Sequence, residues 1–274
     1  MQTTVLASDF AVKIEGVDLS EPPDDAAFEA LRAAWMQYKV AVFPGQELED
    51  GELLAFVGRL GPIFKHIQST LHTGEKDVMY MSNREQKALV QGELYWHTDQ
   101  SYTPKPVFGT VLYGIEIPKE GGETCFADLA ATYDTLPDRL RSRVEGARAV
   151  YAAEKPGHKR RVSLSDEERK KIPPVVHPLV RTHPYLGRKA LYLSPTHISK
   201  IGDLPESESE ELLSELTDHA TQPERVYVHE WTPGDVIMWD NTSVMHKRNH
   251  FDPAERRFHK RTGFYLPDTL STPF

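Results

Sequence analysis

His97 and Asp99, in the run Tyr95-Trp-His97-Thr-Asp99, are the residues of this chain best placed to do chemistry. Side chains two apart on an extended strand project from one face. An imidazole and a carboxylate side by side can chelate a divalent metal. A second histidine would complete a 2-His-1-carboxylate face, whose open positions suit non-haem Fe(II) oxygen chemistry. By itself a His-x-Asp pair is weak among 12 histidines, and a solvated pair stays open. The candidate third ligand follows a defined punctuation. Trp231-Thr-Pro-Gly-Asp235 is a turn, Val236-Ile-Met-Trp239 a buried strand, Asp240-Asn241 a second turn, and then comes Val244-Met-His246. Alone, His246 reads equally well as a hydrogen-bonded core histidine.

Downstream arginines tip the balance towards a site. Asn249-His-Phe-Asp-Pro253 has turn chemistry, so His246 and Arg257 are expected on adjacent strands of one hairpin. Arg257 and Arg261 are four apart on a strand and share a face, with His259 between them. Two inward guanidiniums need an anion, because an unpaired buried cation is costly. A dicarboxylate cosubstrate would supply one through bidentate pairing. The competing reading is ordinary surface salt bridges, and Arg256, with the opposite parity, is given to it.

These residues need elements to position them. Phe28, Leu31, Trp35 and Tyr38 recur at helical spacing and predict a helix over 25–38, after Pro22-Pro23. Lys39-Val-Ala-Val-Phe43 is a strand ending at Pro44-Gly45, and a second helix fits 49–60, closed by Gly61-Pro62. Strands are expected near 77–82, 94–99, 107–117 and 122–127, then a helical stretch over 129–145 interrupted near Pro137. From Glu154 to Lys171 charge dominates, with a helix start at Ser165-Asp-Glu-Glu168 and an acidic amphipathic helix over 206–219. Strands return at 224–231, 235–239, 243–248 and 257–266. The pattern is mainly β with helical decoration, a sandwich or barrel. All of 1–274 reads as one domain, with 154–220 as an insertion or lid.

Composition sets the outer limits. The formal net charge is −9, which argues against a phosphate-tracking nucleic-acid surface but leaves room for a local pocket for a small anion. The lone cysteine, Cys125, cannot form an intrachain disulfide and reads as a buried small hydrophobe. The first residues lack a basic and then apolar pattern and no run of about 18 apolar residues occurs, so neither a secretory leader nor a membrane span is expected, and the expected compartment is the cytoplasm.

Taken in order, Trp-His97-Thr-Asp99, Gly121-Gly-Glu-Thr124, Val180-Arg-Thr-His-Pro184 with Gly187-Arg-Lys-Ala-Leu191, Pro233-Gly-Asp235 with Trp239-Asp-Asn241, His246, and Arg257-x-x-x-Arg261 resemble the TauD/TfdA family. These are the taurine and 2,4-dichlorophenoxyacetate dioxygenases, and the matching pieces span most of the chain. The resemblance implies a double-stranded β-helix (jelly roll), with His97, Asp99 and His246 as Fe(II) ligands. It implies Arg257 on the C5 carboxylate of 2-oxoglutarate, supported by the Thr124 hydroxyl. Arg261 would lie between the cosubstrate and the acidic group of the primary substrate. His66, in Phe64-Lys-His66, falls near a histidine that contacts the substrate's anion in the taurine enzyme.

Around the substrate the chain departs from the taurine enzyme, at Gln91-Gly-Glu-Leu-Tyr95 and Tyr151-Ala-Ala-Glu-Lys-Pro156. The implied reaction consumes O2 and 2-oxoglutarate, releases succinate and CO2, and hydroxylates a small organic anion, with fragmentation where the hydroxylated carbon bears a leaving group. Candidates are a sulfonate, sulfate ester, aryloxyalkanoate or amino-acid derivative. A homo-oligomer, dimer or tetramer, is expected. Two rivals use the same ligands: a zinc-dependent hydrolase and a cupin-like metal-binding protein, the latter with its arginines facing solvent.

Overall fold

The computed structural model describes residues 1–6, 10–21, 23–65, 77–84, 95–155 and 165–267. In chain order the first elements are β1 (Gln2–Val5), β2 (Ala11–Glu15), α1 (Asp25–Tyr38), β3 (Val40–Phe43), α2 (Asp50–Leu60) and β4 (Met79–Ser82). Next come β5 (Gly109–Glu116), β6 (Thr124–Asp128), α3 (Leu129–Asp134), α4 (Asp138–Val144) and β7 (Arg148–Tyr151). The middle holds α5 (Asp166–Lys171), β8 (Val175–Pro178), β9 (Val180–Thr182), β10 (Lys189–Leu191), β11 (Ile198–Ile201) and α6 (Glu206–Ala220). The chain closes through β12 (Val226–His229), β13 (Val236–Asp240), β14 (Val244–Arg248) and β15 (Phe258–Phe264).

Two sheets matter for the site. The larger has the order β1-β2-β3-β13-β5-β15-β4, and the smaller the order β12-β6-β14. Strand alternation sorts their side chains into separate cores. Ala41, Phe43, Val111, Met238 and Phe264 on one face of the large sheet meet Phe28, Leu31 and Trp35 of α1 and Leu53, Phe56 and Val57 of α2. Val40, Val42, Leu112, Ile237 and Trp239 on the opposite face meet Phe126, Tyr227 and Val244 of the small sheet. The two sheets therefore face each other, and the space between them is where inward polar residues can meet.

Local signals account for the helices. Asp24 caps α1 by accepting from Ala27 N at 2.8 Å, and Glu49 with Glu52 forms a capping box on α2. Lys39 ends α1 at φ 66° and turns its ammonium to Asp128, 2.7 Å away, tying the first helix to the small sheet. The helices at 25–38, 49–60 and 206–219 lie where the periodicity puts them, and the stretch from 129 breaks at Pro137 into α3 and α4.

Residues 175–220 do not pack apart from the rest. Leu179, Leu191, Leu193, Ile198, Leu212 and Leu216 share a core with Leu129, Leu140 and Tyr151, and with Ala127 and Met245 on the outer face of the small sheet. Residues 156–164 of the expected insertion lie outside the described residues. Among the described residues, no helix is long and apolar enough to cross a membrane.

Candidate metal centre

His97 and His246 are brought together by backbone pairing. Each main-chain N–H donates to the other residue's carbonyl, at 2.9 and 2.8 Å, an isolated antiparallel bridge that adds residue 97 to the edge of β14. The expected strand over 94–99 is thus reduced to one bridging residue among those described, and Asp99 lies in the turn after it. Thr98 explains the change. Its N–H donates to Ser194 Oγ at 3.0 Å and its hydroxyl to the Leu193 carbonyl at 2.9 Å, so its hydrogen bonds leave the ladder. Gln100 then bends the chain at φ 48°. A stretch inside the expected insertion therefore shapes the loop that carries Asp99.

The three side chains are buried, and one ligand atom from each lies within 4.8 Å of the others. Asp99 Oδ1 is 3.6 Å from His97 Nε2 and 3.7 Å from His246 Nε2. Donors bonded to one ion at about 2.0–2.2 Å stand at most about 4.4 Å apart, and both separations fall inside that limit. His97 Nδ1 is 2.9 Å from the Tyr95 carbonyl, which can only accept. The proton therefore sits on Nδ1, leaving the Nε2 lone pair for a metal. Two imidazoles and a carboxylate are a donor set suited to Fe(II), and the residues fit such an ion.

Behind the carboxylate runs a buried chain of hydrogen bonds. Thr110 Oγ1 donates to Asp99 Oδ2 at 2.7 Å, Asn241 Nδ2 donates to Thr110 Oγ1 at 2.9 Å, and Trp239 Nε1 donates to Asn241 Oδ1 at 3.1 Å. Together these fix Oδ2 and leave Oδ1 to the histidines. Arg261 also reaches Oδ1. Burial alone would raise the Asp99 pKa, but Arg261, then His246 and His97, outweigh it and hold the carboxyl well below the usual carboxylate range.

The arginines come from the facing sheet. His246 is on β14, paired to β6, whereas β15 pairs with β5 and β4. The expected hairpin between His246 and Arg257 is therefore absent: the 249–257 connection crosses from one sheet to the other. The face parity does hold. Arg257 and His259 are buried and Arg261 touches Asp99, while Lys260 on the other face pairs with Asp50 at 2.9 Å and Phe258 meets the Tyr80 ring. Arg256 pairs with Glu116 at the surface, 2.7 Å away.

Arg257 is only 3% exposed, and among the described residues no carboxylate pairs with it and its Nε has no partner. Burial, and then the nearby Arg248, lower its pKa to about 9. Arg248 was missed in the sequence, although it stands two residues after His246 and so shares its inward face. It is paired across the strands with Thr124, which is buried on β6. Thr110, Asn241 and Trp231 likewise had no site role in the sequence reading; Asn241 stood in the matching Trp239-Asp-Asn241 piece and Trp231 at the start of a turn, whereas Thr110 carried no signal. Cys125 is buried, as expected. His66 lies outside the described residues.

A family model described as taurine catabolism dioxygenase TauD, TfdA family, matches residues 2–262. An (S)-phenoxypropionate/alpha-ketoglutarate-dioxygenase of Sphingobium herbicidovorans is 34% identical over 261 residues, covering 92% of this chain and 90% of its own. The alpha-ketoglutarate-dependent 2,4-dichlorophenoxyacetate dioxygenase of Cupriavidus pinatubonensis is 33% identical over 264 residues, covering 90% of this chain and 92% of its own. Among solved structures, AAD-2 in complex with Mn(II) and N-oxalylglycine superposes with a TM-score of 0.86 at 31% identity, over 99% of this chain and 98% of that one.

Proposed function

The chain belongs to the TauD/TfdA family of alpha-ketoglutarate-dependent dioxygenases, and from that premise we propose that it uses Fe(II) to oxidise a small organic anion. His97, Asp99 and His246 hold the iron. When bound, the iron supplies O2 activation coupled to decarboxylation of 2-oxoglutarate to succinate and CO2. The remaining work falls to the protein. Arg257 and Thr124 hold the distal carboxylate, and Arg261 the anionic end of the primary substrate. The two facing sheets form a double-stranded β-helix, and 154–220 helps to keep water from the site. His66 as a substrate contact rests on the resemblance alone.

One observation carries this reading: a buried guanidinium, Arg257, with no carboxylate among the described residues, on the strand run that brings Arg261 to the metal-binding carboxylate. A zinc hydrolase gives that cation no purpose, and a cupin-like binding protein would turn it to solvent. The substrate is a sulfonate, sulfate ester, aryloxyalkanoate or amino-acid derivative, and the relatives named for phenoxypropionate and 2,4-dichlorophenoxyacetate favour the aryloxyalkanoate.

Anaerobic titration of metal-free protein with Fe(II) and 2-oxoglutarate tests it. A weak visible charge-transfer band should form, vanish in His246→Ala and weaken in Arg257→Ala. Tight zinc binding with no band at saturating 2-oxoglutarate would overturn it in favour of the hydrolase.

A further inference from the structure

Thr124 meets the turn after β12 through one hydrogen bond: Trp231 Nε1 donates to Thr124 Oγ1 at 3.0 Å. A hydroxyl that accepts there must point its own hydrogen elsewhere, and among the described residues no acceptor takes it. Thr124 is paired with Arg248 on one side and His229 on the other. The guanidiniums of Arg248 and Arg257 both lie over the Phe251 ring, at 4.8 and 5.9 Å from its centre. The spare hydrogen thus belongs to the inner face on which two buried guanidiniums gather.

Two imidazoles pack against the indole. The His259 ring stands nearly perpendicular to it with centres 4.7 Å apart, and the His229 ring does the same at 4.8 Å. His229 is itself fixed by Asp235 Oδ2 and the Tyr227 hydroxyl, each at 3.1 Å. Asp235 Oδ2 also accepts from Thr232 N at 2.8 Å, closing the turn. That turn is pinned to β5 by Gly234 N–H on the Gly114 carbonyl and Gly114 N–H on the Asp235 carbonyl, both 2.9 Å. Gly114 leaves room for the ring: a Cβ there would stand 2.9 Å from Trp231 Cε3. So many constraints on one ring fix where its N–H points, which packing alone does not require.

We propose that Trp231 is a positioning residue for 2-oxoglutarate: by occupying a lone pair of Thr124 Oγ1, its N–H makes the hydroxyl a donor to the cosubstrate's distal carboxylate. This rests on the 2-oxoglutarate reading above. Without the indole donor, the hydroxyl could turn its hydrogen away and present a lone pair to the anion.

Calorimetric titration of Mn(II)-loaded protein with 2-oxoglutarate tests the proposal without turnover. Trp231→Phe should weaken binding about 3- to 10-fold, the scale of one oriented hydrogen bond. The same change should have less than about a twofold effect in a Thr124→Val background and its full effect in Thr124→Ser, which keeps the hydroxyl. An equal loss in the Thr124→Val background, or no loss at all, overturns the proposal. If Trp231→Phe does not fold, Gly114→Ala, which displaces the ring, decides: weakened binding that depends on the Thr124 hydroxyl supports it, and unchanged affinity overturns it. Wild-type protein that takes up no 2-oxoglutarate would overturn both this proposal and the reading beneath it.

Discussion

The Arg261 guanidinium sits on Asp99 Oδ1, the same oxygen that lies 3.6 and 3.7 Å from the Nε2 atoms of His97 and His246. A protein cation thus occupies one side of the oxygen a metal would claim. Before a metal binds, Arg261 is the strongest stabiliser of the buried charge on Asp99. Any ion entering must share that oxygen with Arg261 or displace it.

Arg261→Ala should therefore have opposite effects on stability and metal affinity. Metal-free protein should lose about 3 kcal/mol, because removing one member of a buried pair strands the other. Mn(II), without 2-oxoglutarate, should bind about tenfold tighter, a gain of about 1.4 kcal/mol from removing a competing cation. Denaturant melts and calorimetry on the same preparation measure both. Unchanged or weaker Mn(II) binding would mean that Arg261 does not compete.

Thr110→Val tests the support behind the ligand. The substitution keeps the shape but removes the donor to Asp99 Oδ2 and the acceptor for Asn241 Nδ2. Partners of metal ligands typically contribute about 10- to 100-fold in affinity, so Mn(II) should bind that much more weakly. Full affinity in Thr110→Val would show that Arg261 and the histidines orient the carboxylate unaided.

The chemistry was more legible than the geometry. That His97, Asp99 and His246 belong together was legible from their motifs taken in order with the family resemblance, and the structure brings them together; the face shared by Arg257, His259 and Arg261 followed from strand parity. The route to those results was partly different. Asp99 shares the site with His97 through a turn held by Leu193 and Ser194, nearly a hundred residues away in sequence, and no local pattern encodes that. The hairpin expected after His246 rests on the turn chemistry of Asn249–Pro253, which does not say which sheet receives the next strand. Long-range pairing of β15 with β5 decided it. Thr110 escaped notice because a threonine in a strand is ordinary until its partner is known.

Arg257→Met should separate stability from binding. With no carboxylate partner among the described residues, the buried guanidinium costs the ligand-free protein desolvation with no ion pair in return. A methionine of similar length should leave the melting temperature unchanged or raise it. Affinity for 2-oxoglutarate should fall by about 2–5 kcal/mol, the scale for truncating one side of a buried charge pair. A lower melting temperature with undiminished 2-oxoglutarate binding would place Arg257 in the scaffold instead.

His259 should make the ligand-free protein sensitive to mild acid. It is completely buried, among the described residues both ring nitrogens lack a hydrogen-bond partner, and it lies near Arg257, Arg248, His229 and the Trp231 ring. Burial first, and then the Arg257 and Arg248 guanidiniums, hold its pKa well below the ordinary value of 6.5. The unfolded chain takes up a proton on this histidine below that value, and the folded chain does not. Its contribution to stability is therefore complete above 6.5 and is lost as the pH falls towards its folded pKa, at a limiting slope of about 1.4 kcal/mol per pH unit. Urea unfolding of wild type and His259→Gln between pH 7.5 and 5 should show the steeper decline in wild type. The difference between the two curves should open only below about 6.5, the histidine's unperturbed value. Parallel curves across that window would mean that His259 accepts a proton in the folded state despite the two arginines beside it.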